Sequence, residues 1–341
     1  MKEIYQVTGG AYGGIYVDEK FEKLLENLFG IPEVKEYRIK FPAEWLRLMN
    51  DFEMKKRGRR ALDDKVTRIA LPRNFLQLVS WPRDSDLAIR FSKSCNLVDV
   101  EIYNDEYLCV GPKTMKSLFE PVVNGIIRHM TELLSKPALE NVRHLFMVGG
   151  FAESVILQQV VKAAFRSRCR VLVPNYASIA VVQGATMFGQ KPTVVTSRVM
   201  ATTYGFRAYR NFDPQEHDPK KKEVVEGIPK CKDIFDVVVI ENDAVEVRET
   251  KRFTRRPVCN DQKVVEFTFF TSTDPNVKYT TDSSVGPSIG TLVVDSPDTS
   301  KGTNRNIELC LFFGGTEIKA TAVDETSGST ATVYLDFLTK S

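Results

Sequence analysis

LFMVGGFAES, residues 145–154, is the stretch on which the fold turns. An apolar run enters two glycines and then a segment of helical composition, so a strand hands the chain to a helix through a turn without side chains. Bare backbone lets a planar or anionic ligand come close, and the amino end of the following helix adds a favourable dipole. A lone Gly-Gly pair is weak evidence; by itself it reads first as a tight turn with no ligand.

Working outward, the spacing predicts a buried strand over 142–148, a helix over 152–165, a strand over 170–173 and a short helix through Gly184-Ala185. Strand–glycine turn–helix units of this kind belong to α/β folds, whose ligands sit at the C-terminal ends of strands. Upstream, residues 4–7 read as a strand end running into GGAYGG (9–14), a glycine loop that lacks both P-loop and dinucleotide spacing and reads as a plain loop. Val17, Phe21, Leu24, Leu25 and Leu28 then share one helical face, with Asp18 as the expected N-cap and Gly30 as the stop. Pro42 opens a second amphipathic helix burying Trp45, Leu46, Met49 and Phe52. Residues 112–135 are helical, and Pro121 is expected to break them into two helices.

The pattern changes after Pro192. Short β-branched runs at 235–240, 245–250, 264–271, 289–294, 307–313, 318–323 and 331–337 alternate with Gly, Pro, Asn and Asp turns, which predicts a β-sandwich or barrel. The boundary falls near 190–202, and residues 211–223 read as a solvated loop. A length of 341 residues fits two such domains.

The formal net charge of +3 does not call for nucleic acid, which needs a clustered basic face. Six scattered cysteines without a C-x-x-C pair read as reduced thiols, and three distant histidines do not make a zinc site. No secretory h-region and no apolar run of membrane-spanning length is present in the sequence, which reads as cytosolic. KKRGRR (55–60) is read as a solvated helix end. Next to it, Glu53, Lys56 and Arg57 stand at i, i+3 and i+4, one helical face that would hold a ribose on the carboxylate and stack a base on the guanidinium. No Ser/His/Asp set, Cys/His pair or acid/base pair is selected by local sequence, so no catalytic residue is assigned.

Taken in order, GGIYVD (13–18), FEMKKR (52–57), MVGGFAES (147–154) and QGATMFG (183–189) resemble the second lobe of an Hsp70 nucleotide-binding domain, in particular a divergent member-12 branch of that family. TEIKATAVDETSG (316–328) resembles a segment of the Hsp70 peptide-binding domain, so the resemblance is collinear over nearly the whole chain. It implies an actin-like ATPase lobe (lobe II only) over 1–195, followed over 200–341 by an all-β sandwich-like domain without a helical lid. It implies ATP or ADP with magnesium as cofactor. The implied nucleotide-side residues are Gly149, Gly150 and Phe151 at the turn, Glu53, Lys56 and Arg57 around adenine and ribose, and Gly13 and Gly14 close to the phosphates. Gly184-Ala185 match the second lobe-connecting helix. Client or partner polypeptides are expected on the β domain, and neither nucleic acid nor a membrane span is.

The sequence also departs from the family. Phe151 and Glu153 stand where typical members carry a serine and an adenine-stacking arginine, and residues 192–197 read PTVVTS in place of an acidic linker. The family's two phosphate loops and catalytic lysine lie upstream of the part resembled. The expectation is therefore a chaperone-related, ATP-binding chain that is not hydrolytic alone. The alternative is a non-hydrolysing interaction module with a vestigial nucleotide site.

Overall fold

In the computed structural model the first helix, α1 (Ile15–Phe29), begins at Gly14 and stops at Gly30, whose φ of +100° suits a residue without a Cβ. The structure describes all residues except 59–63, 80–98, 105, 248, 314–316 and 337–341. Arg59 and Arg60 of the basic run, Cys95, Thr316 and Phe337 thus lie outside the described residues. Two compact units are present, Gly9–Thr186, and Met1–Thr8 together with Met187–Ser341.

In the first unit, Val17, Phe21, Leu24 and Leu25 are buried along one face of α1, with Leu28 packed beside them. Asp18 is not the cap: Gly14 is, and the Asp18 carboxylate inside the first turn is engaged by Lys56. A helix absent from the sequence reading, α2 (Ile31–Lys40), precedes α3 (Pro42–Gly58). The buried stripe of α3 is Trp45, Leu48, Phe52 and Lys56; Leu46 is exposed and Met49 only partly buried, because spacings of three and four select Leu48 instead. Phe21 and Phe52 stack with ring centroids 3.9 Å apart, joining α1 to α3.

Strands β1 (Thr67–Ala70), β2 (Val100–Tyr103) and β3 (Tyr107–Val110) form an antiparallel sheet in the order β1-β3-β2, with α4 (Arg73–Leu78) between the first two in sequence. Helix α5 (Pro112–Leu134) runs unbroken through Pro121. Leu118, Phe119, Val122 and Val123 on either side of the proline enter the same core, and their burial outweighs the ~3 kcal/mol that a mid-helix proline costs. The expected strand over 142–148 is only β4 (His144–Phe146), parallel to β5 (Arg170–Leu172). It is not buried either: a two-stranded sheet covers little, and Phe146 and Val148 are exposed. Gly150–Glu153 is a 3₁₀ turn, and α6 (Val155–Phe165) starts where the Ser154 hydroxyl accepts the Leu157 N–H at 3.5 Å. Helix α7 (Ala180–Gln190) carries no buried residue and runs across the division between the units.

The second unit is β-built. Residues 4–7 are not a strand end: the one parallel bridge here is made before them, by Lys2 with Ser197, and Ile4 and Val7 are exposed. Strand β6 (Ser197–Val199) pairs with β10 (Ala244–Glu246). A five-stranded antiparallel sheet has the order β13-β12-β7-β9-β8, comprising β7 (Thr203–Asn211), β8 (Lys222–Val225), β9 (Ile228–Val239), β12 (Val264–Ser272) and β13 (Gly290–Asp295). A four-stranded one, β11-β14-β15-β16, comprises β11 (Thr250–Arg255), β14 (Ile307–Phe312), β15 (Glu317–Asp324) and β16 (Thr330–Asp336). Phe206, Phe267 and Phe269 from one sheet and Ile307, Leu309 and Leu311 from the other share one apolar core. The run at 245–250 is not one strand: it is shared between β10 and the start of β11. Strands β7 and β8 went unread, and β8 begins inside the expected loop at Lys222.

Arg305 is wholly buried beneath these sheets' connections. Its Nε donates to the Gly302 carbonyl (2.7 Å), Nη1 to the Ser296 carbonyl (2.9 Å), and Nη2 to the carbonyls of Gln262 (2.7 Å) and Asn260 (3.3 Å). Arg305→Met strands these acceptors and is expected to cost at least ~3 kcal/mol. The check is the urea midpoint at unchanged m-value; a loss below ~1 kcal/mol would show that the carbonyls find other donors.

Candidate functional site

The last turns of α3 place Glu53, Lys56 and Arg57 on one face, as the i, i+3, i+4 spacing requires. Tertiary contact then makes a site of them. Lys56, with a side chain only 5% exposed, donates to Asp18 Oδ1 at 2.6 Å and to the Gly14 carbonyl at 3.2 Å, and pairs with Glu53 Oε2. The second Glu53 oxygen accepts from Arg57 Nε at 2.7 Å. The Arg57 side chain remains 60% exposed, so its guanidinium plane is offered to solvent.

Gly14 and Phe151 adjoin the same ammonium. A Cβ added to Gly14 would lie 3.2 Å from Phe151 Cδ2 and 3.6 Å from Lys56 Nζ, so a glycine here admits the aromatic ring. Gly149 takes φ +93°, a conformation that favours glycine, and its N–H donates to the Ala177 carbonyl at 2.8 Å. Nothing lies within 4 Å of a Cβ built on Gly149 or Gly150, so both present open backbone. Glu153 Oε1 accepts the Ser178 N–H at 3.1 Å, a second tie between the glycine turn and residues 177–178. A Cβ added to Gly13 would lie 3.9 Å from Ile15 Cγ2, an ordinary contact, and Gly184 and Ala185 lie on α7.

Five of the expected residues (Gly14, Glu53, Lys56, Arg57 and Phe151) are thus linked by described contacts. Asp18 was missed as a member of the set: its sequence signal is that of a helix cap, and its partner is 38 residues away. Burial, helped by the neighbouring Glu53, pushes the Asp18 carboxyl up overall, against the downward pull of Lys56. Burial also pushes Glu53 up, but the hydrogen bonds from Lys56 and Arg57 prevail and hold it below the usual carboxylate range. The hydrogen bond to Glu53 raises Arg57, with smaller contributions from the Glu153 and Asp18 charges. Ser178 holds the half-buried Glu153 carboxyl low, with a smaller contribution from Arg57.

Concavities of about 460, 640 and 710 Å³ lie elsewhere, lined by residues such as Ser197 and Glu246, Asp236 and Tyr279, and Lys55 and Arg68 respectively. The candidate site is therefore a surface cluster rather than one of these cavities. Among the described residues no group of three His, Cys, Asp or Glu is placed to hold a metal ion, and no helix is long and apolar enough to cross a membrane.

No protein-family model matches the chain. Over 342 residues, 99% of its length, it is 36% identical to heat shock 70 kDa protein 12A of Homo sapiens, and the Mus musculus protein of that name gives the same identity over 341 residues. Heat shock 70 kDa protein 12B of Homo sapiens is 33% identical over 346 residues. The chain spans about half the length of these relatives, 50% in each case.

Lys56→Met leaves the Asp18 and Glu53 carboxylates without their buried cation and is expected to cost ~3–5 kcal/mol at pH 7. The deficit should shrink towards pH ~4, where both carboxyls take up protons. In the parent chain the two act with opposite sign. Glu53, depressed in the fold, contributes stability that is present above its unfolded pKa and lost as pH falls through its folded value. Asp18, raised in the fold, contributes stability that is lost as pH rises through its folded value. Denaturant titrations of both proteins at pH 7 and pH 4 check this, and a pH-independent difference would contradict it.

Proposed function

We propose that this chain, a homologue of the member-12 proteins of the Hsp70 family, supplies the adenosine-facing side of an ATP or ADP site. The site sits in an actin-like lobe II over residues 1–195, and the β-built part over 200–341 meets client or partner polypeptides. One observation carries the reading: folding gathers Gly14, Glu53, Lys56, Arg57 and Phe151 from distant parts of the sequence into one connected set. Glu53 has carboxylate lone pairs for ribose hydroxyls, the exposed Arg57 plane suits a stacked base, and the open backbone at Gly149-Gly150 admits a flat ligand. Magnesium would arrive on the nucleotide phosphates, since no described cluster of ligands is built for it. Hydrolysis is not assigned to these residues. The chaperone-related role rests on the relatives' family.

A second reading, a non-hydrolysing interaction module with a vestigial nucleotide site, is favoured by Phe151. Its ring is packed against Gly14, on the side of the turn that the resemblance gives to the nucleotide.

Calorimetry with ATP and ADP in the presence of magnesium separates the two readings. Arg57→Ala is expected to weaken nucleotide binding about tenfold, the loss of one stacked cation, while Arg60→Ala changes it less than about twofold. Equal effects of the two would remove the Glu53-Lys56-Arg57 assignment. Absence of binding by the parent chain would favour the interaction module.

A further inference from the structure

We infer that the concavity of about 640 Å³ in the β-built unit binds a carboxylate-rich segment of a partner polypeptide, gripped by Arg210 and Lys278. The inference rests on the partner-polypeptide reading of this unit and is independent of the nucleotide site. The floor is apolar, made of Ile234, Phe235 and Val277, all buried. Around it stand Arg210, His217 and Lys278, and against them Glu216 and Asp236.

The allocation of partners decides what these groups can take. Asp236 is matched twice, by Arg255 and by Arg210 Nη2 at 3.0 Å, so one carboxylate meets two guanidinium groups. Among the described residues that contact is the one hydrogen bond Arg210 makes. Its side chain is 57% exposed, and its other N–H groups are open to a ligand. Lys278 is exposed, and its ammonium has no partner among the described residues. His217 accepts the Asp213 N–H on Nδ1 at 2.9 Å, so its ring proton sits on Nε2, a further donor. With Arg255 counted, three cations stand against two carboxylates, a surplus of one positive charge.

The walls are fixed before any ligand arrives, which lowers the ordering cost of binding. The β7–β9 ladder shifts register between Ala208 and Arg210, beside Asp233 with its φ of +59°, and such irregularities re-aim side chains. Lys221 Nζ holds Asp233 at 3.0 Å and the Thr281 hydroxyl at 2.6 Å. The Asp218 N–H donates to the Tyr279 hydroxyl at 2.8 Å, and the Phe235 N–H to the Lys278 carbonyl at 2.8 Å. The stretches carrying His217 and Lys278 are thereby tied together. A guanidinium fork suits a carboxylate, and a glutamate stem brings methylenes for the apolar floor. A peptide also brings backbone N–H groups for Glu216 and Asp236, which a phosphate dianion would meet as like charges.

The test titrates three capped hexapeptides calorimetrically into the full chain at low ionic strength: hexaglutamate, hexalysine and a neutral Ser-Leu alternation. Hexaglutamate is expected to bind about tenfold or more tightly than either of the others. Arg210→Gln, which leaves Asp236 its Arg255 partner, should weaken hexaglutamate about tenfold, and Lys278→Gln roughly threefold. Lys319→Gln, an exposed lysine on β15 outside the concavity, should leave it unchanged. Equal loss in all three variants would mean unspecific attraction and overturn the inference. Displacement of hexaglutamate by inorganic phosphate at the peptide's own concentration would overturn the choice of carboxylate. Equal or tighter binding of the neutral or basic peptide would overturn the inference and leave the partner-polypeptide reading standing. No binding of any of the three would reject both.

Discussion

A charge as enclosed as that of Lys56 has to be matched where it stands, because carrying a bare ammonium out of water costs far more than a small fold can supply. It is matched from three directions: by Asp18 on α1, by Glu53 one turn back on α3, and by the Gly14 carbonyl at the entry to α1. The Phe21–Phe52 stack packs the same two helices against each other. Together these contacts set the separation of α1 and α3, and with it where Gly14 and the exposed Arg57 stand. The candidate site is thus a by-product of solving a burial problem, with the Lys56 charge consumed inside the fold and Arg57 left facing solvent.

The β-built unit solves a related problem differently. Arg305 is also fully enclosed, but its hydrogen bonds run mainly to backbone carbonyls on the connections around Asn260, Ser296 and Gly302. A planar guanidinium with five donors can span several loops at once, which a lysine cannot. Nearer the sheets, Asp236 accepts from Arg210 at 3.0 Å and also pairs with Arg255, which lies 5.2 and 5.3 Å over the rings of Phe206 and Phe253. Arginine is therefore the residue that joins loops and sheet faces in this unit.

Much of this was legible in the sequence, and the gaps have physical causes. The α/β character of the first part and the strand-rich second part followed from hydrophobic period, and Glu53, Lys56 and Arg57 followed from helical spacing. Asp18 was misread because a carboxylate in a first turn has the same local signature whether it caps the helix or reaches a partner far along the chain. Pro121 was misread because local propensity says nothing of the apolar face on which the whole of α5 is buried. Strands β7 and β8 were passed over because Thr203–Asn211 mixes arginine and tyrosine with few β-branched residues, and Lys222–Val225 is short and half polar. Leu46 and Leu48 differ only in their angle around a helix axis, which no composition reveals.

The bridge between Lys2 and Ser197 bears on the order of events during synthesis. Residues 1–8 belong to a unit whose remaining chain starts at Met187, so they are made well before the rest of it and must wait for partners nearly two hundred residues later. The intervening Gly9–Thr186 stretch has its own core and can collapse in that interval. The β-built unit, whose contacts are largely non-local, must follow and should be the slow step in reaching the native state. Closing so long a loop carries only a modest extra entropic cost, about 0.6 kcal/mol for each doubling of its length, so the delay is one of time rather than of final stability.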